Sequence, residues 1–216
     1  DRLAVTVPAP CISRICPQLT SDERQRLQGV QYQGIVCASL LLRRSLADFY
    51  VTNITDSWVP FTGVIEMSTL VDRELLGGHS LVYLPKYVAP DDPALEMPEE
   101  QLRERFLAAL ERMYAKFRRD DVVAFQVSRV RHVCALPTLG YSQHVPHIKT
   151  SVPGLYVVTS AQIVNGTLNV NETVRLAEKA VTTLIQPVGL PAGTDEITSD
   201  EQLTDVQADC QLVAGS

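Results

Sequence analysis

The order of hydrophobic and polar positions in the first part of the chain predicts short strands. Residues 3–7 (LAVTV) have the pattern of a buried strand that ends at Pro8. Residues 32–42 (YQGIVCASLLL) form one continuous apolar run of strand length. Residues 49–54 form another strand, and the turn-prone stretch between the two predicts a hairpin.

Strand character continues in the middle of the chain. Residues 62–70 alternate between apolar and polar positions, and residues 79–84 form a further strand that Pro85 is expected to close. Residues 122–135 (VVAFQVSRVRHVCA) return to the same character after a helical segment. The pattern therefore predicts a sheet of several strands.

Two segments between the strands carry helix signals. At 20–28, Thr20 or Ser21 can cap the first turn, and acidic residues follow at once. Residues 98–118 form the clearest helix, with apolar side chains at three- and four-residue spacing. These side chains are Leu102, Phe106, Leu110, Met113 and Phe117. Such a stripe is typical of a helix that faces a core.

The last patterned part is a strand, a polar turn and a helix. Residues 155–159 read as a short buried strand, and a helix begins near Asn171. After about residue 186 the composition changes to Pro, Gly, Thr, Asp and Glu, which is typical of a flexible tail. The whole pattern predicts an α+β fold, in which a mixed β-sheet is covered by helices. The opening and closing strands could pair with each other in a different sheet.

Composition narrows the functional class. The formal net charge of −6 argues against a nucleic-acid partner, which needs a basic face. No apolar run approaches the roughly 20 residues needed for a transmembrane segment. The five cysteines are an odd, scattered set, which favours reduced thiols in a cytoplasmic protein. His144 and His147 share a loop without an acidic or cysteine neighbour, so no metal site is predicted.

The strongest chemical signal lies at 153–180, where a strand leads through a polar turn into a helix start. The first N–H groups of such a helix lack helical partners and carry partial positive charge, which suits an anion or an electron-rich ring edge. The turn contains Asn165, Gly166, Asn169 and Asn171, which favour tight turns and close approach to a ligand. On the residues alone, a plain strand–helix turn capped by asparagine is an equal alternative.

This segment resembles the C-terminal flavin-binding motif of the FAD-dependent amine oxidase and protoporphyrinogen oxidase superfamily. Residues 153–156 (PGLY) are similar to the family's strand, and 174–177 (VRLA) to its helical stretch. Residues 3–10 (LAVTVPAP) resemble the family's V-V-x-T-x-P strand, which closes the cofactor domain. Thr159 and Ser160 stand where the family has Gly-Asp, so no charge is available at that point.

The resemblance implies FAD as cofactor and a division of the chain into four parts. It implies an end strand of the FAD-binding domain at 1–10, a substrate-binding domain at 11–150, a C-terminal FAD-binding strand–turn–helix at 151–186 and a flexible tail at 187–216. The implied cofactor-binding residues are Thr6, Pro8, Ser160, Asn165, Gly166, Asn169, Val170 and Asn171. The nucleotide-binding N-terminal half is expected upstream of Asp1, as a missing partner.

The implied function is that of the C-terminal half of a flavin-dependent oxidoreductase that positions a small organic substrate over FAD for oxidation. The chain alone is expected to be inactive and to bind FAD weakly. An apolar face left bare by the missing half would favour a homo-oligomer. The alternative is a cofactor-free binding or scaffold protein that retains the fold, which Thr159 and Ser160 favour.

Aromatic residues of the middle part are the candidates for substrate contacts, with a packing role as the alternative for each. They are Trp58, Tyr83 and Tyr141, together with Phe61 and Tyr87. Glu66 lies in an otherwise apolar strand and is either a buried polar site or turned to solvent by simple alternation. The sequence does not indicate catalytic residues, the substrate or the electron acceptor.

Overall fold

The computed structural model describes residues 1–185, which contain seven strands and five α-helices. The strands are β1 (Leu3–Val5), β2 (Tyr32–Leu42), β3 (Val51–Asn53), β4 (Gly63–Glu66), β5 (Ser80–Val88), β6 (Val122–Ala135) and β7 (Leu155–Val157). The helices are α1 (Ala9–Ile15), α2 (Ser21–Gly29), α3 (Glu99–Met113), α4 (Tyr141–His144) and α5 (Val170–Ile185). The predicted tail at 187–216 lies outside the described residues.

Five of the strands form the central sheet, in the order β3-β4-β5-β2-β6. Every pairing in this sheet is antiparallel, so the prediction of a mixed central sheet is wrong. Helix α3 connects β5 to β6 as a crossover, so these two strands run in the same direction. They do not pair, because β2 lies between them and is antiparallel to both. Parallel pairing occurs instead between β1 and β7, which form a separate sheet as the sequence suggested.

One face of the central sheet is covered by α3. Along β2, alternate side chains such as Val36 and Leu40 are fully buried in a cluster with the helix residues Leu102 and Phe106. The apolar stripe predicted for this helix is therefore confirmed, although the helix ends at Met113 and not at residue 118. We call the side of the sheet opposite to α3 the open face.

Two strand predictions need correction. Strand β3 pairs with β4 and not with β2, because the loop after β2 carries the chain to the sheet edge. Strand β5 continues through Pro85 to Val88. Proline is tolerated there because β4 pairs with β5 only at Val82 and Tyr83, so no strand pairing on that side uses the N–H that proline lacks. The Pro85 carbonyl on the same side accepts the Thr62 amide at 2.7 Å.

A second core lies between the parallel pair β1–β7 and helices α1 and α2. Its buried members include Ile12, Leu27, Tyr32 and Leu155. Helix α1 was missed from the sequence because Pro8 and Pro10 read as the end of a strand, whereas proline also fits a helix start. The backbone N–H of Ala9 donates to the Tyr32 hydroxyl at 3.1 Å and joins the start of α1 to β2. Thr20 caps α2 in a capping box with Glu23, as its position predicted.

Glu66 points into the protein, which decides between the two alternatives left by the sequence. Its side chain is 1% exposed, and it accepts the amide N–H groups of Leu46 at 3.2 Å and Ala47 at 3.1 Å. A buried carboxylate needs such donors. Glu66 thus fixes the loop that follows β2.

Across residues 1–185, no helix is both long enough and apolar enough to cross a bilayer.

Candidate functional site

The parallel pairing of β1 with β7 brings two distant parts of the chain to one edge. Leu3 lies opposite Leu155 and Val5 opposite Val157, and the Val158 amide donates to the Val5 carbonyl at 3.0 Å. Because the strands run in the same direction, Thr6 and the residues after Val157 leave the sheet at the same carboxyl edge. Ligands of parallel sheets bind at this edge, outside the ends of the strands.

Gly154 makes the close pairing of the two strands sterically accessible. Its φ angle is +81°, and a Cβ atom there would lie 2.6 Å from the carbonyl oxygen of Asp1. The Gly154 carbonyl accepts the Leu3 amide at 2.8 Å. The pairing therefore requires glycine at this position of the PGLY motif, since a larger residue would push β1 away from β7.

The chain after β7 turns through a short 3-10 helix, Ser160–Gln162. Thr159 is buried, and its backbone N–H donates to the Gln162 side-chain oxygen at 2.9 Å. The Gln162 side-chain amide also donates to the carbonyls of Pro146 at 3.1 Å and Val157 at 3.0 Å. Gln162 was missed from the sequence, although the Thr-x-x-Gln spacing is a capping-box signal. These contacts fix the direction in which Ser160 leaves the sheet edge.

Tyr141, the first residue of α4, stabilises the same turn. Its hydroxyl donates to the Ala161 carbonyl at 2.6 Å, and its side chain is buried. Burial raises the pKa of Tyr141 to about 12, with a smaller contribution from Tyr32. The hydroxyl therefore stays protonated at neutral pH and keeps its donor role.

Helix α5 starts at the end of an exposed polar turn, Asn165–Val170. The Asn169 side-chain oxygen accepts the Glu172 amide at 2.9 Å, so Asn169 caps the helix. The first-turn amides of Val170 and Asn171 precede the first helical hydrogen bonds, and the helix dipole places partial positive charge there. The turn residues predicted from the sequence are thus brought together in one exposed segment.

Gly166 determines the course of this turn. Its φ angle is +127°, a backbone conformation that L side chains rarely adopt. An added Cβ would lie 3.3 Å from the Glu172 side chain, which pairs with Arg175 at 3.1 Å. The turn therefore offers bare backbone at Gly166 next to the start of α5, and a planar ring can approach such a surface closely.

The open face of the central sheet carries the other candidate residues. Alternate positions of three neighbouring strands face this side, opposite to α3. They are Ile35, Cys37, Ser39 and Leu41 of β2, Leu81, Tyr83, Pro85 and Tyr87 of β5, and Ala124, Gln126, Ser128 and Val130 of β6. Tyr83 is half-buried in the middle of this face and Tyr87 is exposed near one end. Burial raises the pKa of the Cys37 thiol, so it is not an activated nucleophile.

A cavity of about 560 Å³ lies at the end of the sheet where β2 begins. Its lining includes Tyr87 from the open face and Pro10 from α1, close after the carboxyl edge of β1. His132 and Tyr32 also line it, and their rings meet edge to face at 5.1 Å between centroids. The cavity thus joins the segment after β1 to the open face.

The other aromatic candidates lie elsewhere. The Trp58 ring stacks under the Arg112 guanidinium of α3 at 3.8 Å, on the helix side of the sheet. Phe61 is buried and packs edge to face on Phe106 at 5.3 Å. Tyr141 lies in α4 and contacts Ala161 in the turn after β7. The structure therefore brings Tyr83 and Tyr87 to one face and separates them from Trp58 and Tyr141.

A model of the flavin containing amine oxidoreductase family matches residues 1–184. The match includes the strand at 3–10 and the segment at 153–180, the two places where the sequence resembles that family. No curated protein matches the chain.

Three solved structures are similar in fold. A candidate protoporphyrinogen oxidase from Exiguobacterium sp. 255-15 has a TM-score of 0.68 at 13% identity, over 85% of this chain and 41% of that one. An oxidoreductase from Methanosarcina mazei has a TM-score of 0.60 at 21% identity, over 85% and 43%. Reduced UDP-galactopyranose mutase has a TM-score of 0.54 at 15% identity, over 67% and 32%. The chain thus spans less than half the length of each of these proteins.

Proposed function

The chain belongs to the flavin containing amine oxidoreductase family, and we propose that it is the C-terminal half of an FAD-dependent oxidoreductase that positions a small organic substrate for oxidation. The observation that carries this proposal is the shared carboxyl edge of β1 and β7. Two segments far apart in sequence meet there and lead into a capped helix start, an arrangement that suits a nucleotide cofactor.

The residues at this edge fit a flavin. Thr6 and Pro8 follow β1, and Ser160 follows β7, so all three would lie against the cofactor. Bare backbone at Gly166 permits close approach of a ring, and the amides that start α5 would stabilise negative charge on its edge. Ser160 would contribute a hydrogen bond without charge. When bound, FAD would supply the two-electron redox chemistry that side chains lack.

The same arrangement suggests which parts of the chain bind the cofactor and which part binds the substrate. We propose that residues 1–10 and 151–186 complete the FAD-binding domain and that 11–150 bind the substrate. The substrate would lie against the open face, where Tyr83 and Tyr87 provide aromatic surface. The cavity beside Pro10 and His132 would extend this surface toward the cofactor. Trp58 and Tyr141 would act through packing, given their contacts with Arg112 and Ala161.

The test is the visible absorbance of the full-length parent protein, purified without added cofactor. We expect flavin bands near ~450 nm. Gly166→Ala should lower the flavin content several-fold, because the left-handed backbone there strains any side chain. Gly29→Ala is the matched control, since an added Cβ meets no atom within 4 Å there. Equal flavin loss in both variants would contradict a role of the Gly166 turn.

A second candidate function is that of a cofactor-free binding or scaffold protein. Thr159 and Ser160 favour it, because the carboxylate that the family motif places at this point is replaced by a hydroxyl. The absorbance measurement separates the two candidates. A parent protein that is colourless and does not take up added FAD would exclude flavin-dependent oxidation and favour the binding function.

A further inference from the structure

We propose that the substrate is an uncharged molecule with an apolar body and a neutral hydroxyl or carbonyl group, and that it binds against the open face of the central sheet. The inference rests on the proposed function, because it assigns that face to the substrate. It concerns the chemical class of the substrate, which the proposed function does not specify. Three observations carry it: the distribution of charge, a row of neutral polar side chains, and the lining of the neighbouring cavity.

Charged side chains in the paired parts of the central sheet all lie on the side of α3. Lys86 and Arg129 are the two cross-strand neighbours of Val36, which is fully buried in the core with α3. Glu66 is the neighbour of Val82, which belongs to the same core. The paired positions of the open face contain no Asp, Glu, Lys, Arg or His. The sheet therefore separates charge from the surface offered to a ligand.

A row of neutral polar groups crosses the middle of the open face. Ser39 of β2 has Tyr83 on one side and Gln126 on the other. Within residues 1–185, no side-chain hydrogen bond occupies these three groups. The positions around the row are largely apolar, with Leu41 and Ile65 as cross-strand or diagonal neighbours. The face thus combines an apolar surface with donors and acceptors that suit a hydroxyl or carbonyl.

A charged substrate would bind poorly to such a surface. An ammonium or diphosphate group loses hydration on binding and would find no opposite charge among the open-face side chains. A hydroxyl or carbonyl group can replace its water contacts with Ser39, Tyr83 or Gln126. The face therefore discriminates by charge, against both protonated amines and nucleotide sugars.

The cavity at the end of the sheet has the same character. Its polar lining consists of Gln31, Gln33, His132 and the two tyrosines Tyr32 and Tyr87, and no Asp, Glu, Lys or Arg lines it. A volume of about 560 Å³ is in the range of small-molecule sites. A neutral molecule that lies across the open face could thus continue into the cavity without meeting an Asp, Glu, Lys or Arg side chain.

The test uses the full-length parent protein and three ligands with the same ten-carbon body. Geraniol carries a hydroxyl group, geranylamine an ammonium group at pH 7, and geranyl diphosphate an anionic group. Each ligand competes with Nile red, a neutral dye whose fluorescence reports binding to apolar surfaces. We expect geraniol to displace the dye at a concentration at least tenfold lower than either charged ligand. Displacement by a charged ligand at an equal or lower concentration would overturn the inference.

A single isosteric substitution locates the effect on the open face. Gln126→Glu adds a negative charge to the polar row at an exposed position, so the fold should be unaffected. It should weaken geraniol binding about tenfold, which corresponds to about 1.4 kcal/mol, and strengthen geranylamine binding. Gln101→Glu makes the same change on the exposed side of α3 and should alter neither. Equal effects of the two variants would overturn the assignment to this face.

The absorbance of the same preparations keeps this inference apart from the proposed function. A flavin-containing parent protein that prefers geranylamine or geranyl diphosphate would refute the neutral substrate and leave the oxidoreductase standing. A colourless parent protein that prefers geraniol would refute oxidation by flavin. It would support a neutral ligand on the open face of a binding protein.

Discussion

The central sheet with α3 and the parallel pair with its turn are stabilised in different ways. In the sheet, long strands and one amphipathic helix bury a continuous apolar core. The parallel pair has three residues in each strand, and its turn is defined by glycine conformations, caps and a glutamine side chain. The comparison shows that the central sheet depends mainly on burial, whereas the proposed cofactor edge depends on backbone geometry in addition to its own smaller core.

The largest expected effect belongs to the core of the sheet. Phe106→Ala would leave a cavity between α3 and the sheet, because its ring is 1% exposed and packs on Phe61. We expect the free energy of unfolding to fall by about 3–5 kcal/mol, measured by urea unfolding followed by circular dichroism. Arg105→Ala, at an exposed position next to it on α3, is the control and should change stability little.

The next largest effect belongs to the parallel pair. Gly154→Ala should cost roughly 1–3 kcal/mol in backbone strain, and its Cβ would also displace β1, because the Asp1 carbonyl lies within 2.6 Å of that position. Amide hydrogen exchange should rise at Leu3 and Val158, which donate across the pair, while amides of β2 stay protected. Faster exchange throughout the central sheet would show instead that the two regions unfold together.

A pH-dependent contact joins α2 to the segment just before β7. Glu23 of α2 accepts the Ser151 amide at 2.5 Å and the Ser151 hydroxyl at 2.7 Å, just before β7. Burial acts to raise the pKa of Glu23, but hydrogen bonds from Ser151 and Thr20 outweigh it and lower the pKa to about 2.

Because the folded pKa lies below the ordinary value of 4.5, the contact stabilises the protein above pH 4.5 and is lost as the pH falls toward about 2. After allowance for solvent screening we expect a loss of about 1 kcal/mol over this range. Thermal unfolding of Glu23→Gln should lack this part of the pH dependence. An unchanged pH profile in the variant would refute the role of Glu23.

The smallest effect is expected at the start of α5. Asn169→Ala removes the cap that accepts the Glu172 amide and should destabilise the helix by about 1 kcal/mol. Hydrogen exchange of the first-turn amides reports the change. Asn169→Asp keeps a capping oxygen and should restore protection. If both variants exchange alike, the cap does not hold this turn.

The sequence predicted the positions of strands and helices better than it predicted which strands pair with each other. Strand β2 has the predicted bounds because its apolar run and its flanking turns are local signals. The pairing of β3 with β4 and the passage of β5 through Pro85 depend on neighbours that no local pattern encodes. The helix stripe identified Phe106 as core, but the burial of Phe117 beyond the end of α3 depends on the path of the following turn.

The sequence predicted the candidate site only at positions where the residue type itself favours one backbone conformation. Gly166 and Asn169 marked a tight turn and a cap, and the structure has both. The division of the aromatic candidates between the two sides of the sheet could not be read from the sequence. Trp58 lies under Arg112 because a distant helix passes there, whereas Tyr83 faces away because of strand register.

The pairing of β1 with β7 also has a consequence for biosynthesis. About 150 residues separate Leu3 from its partner Leu155, so the two strands cannot meet until the whole intervening lobe has been made. At roughly 5–20 residues per second, a ribosome needs about 8–30 s for this stretch. During that time β1 waits without its partner, with Leu3 and Val7 apolar and accessible. Chaperones that bind nascent apolar segments can bind this strand during that interval.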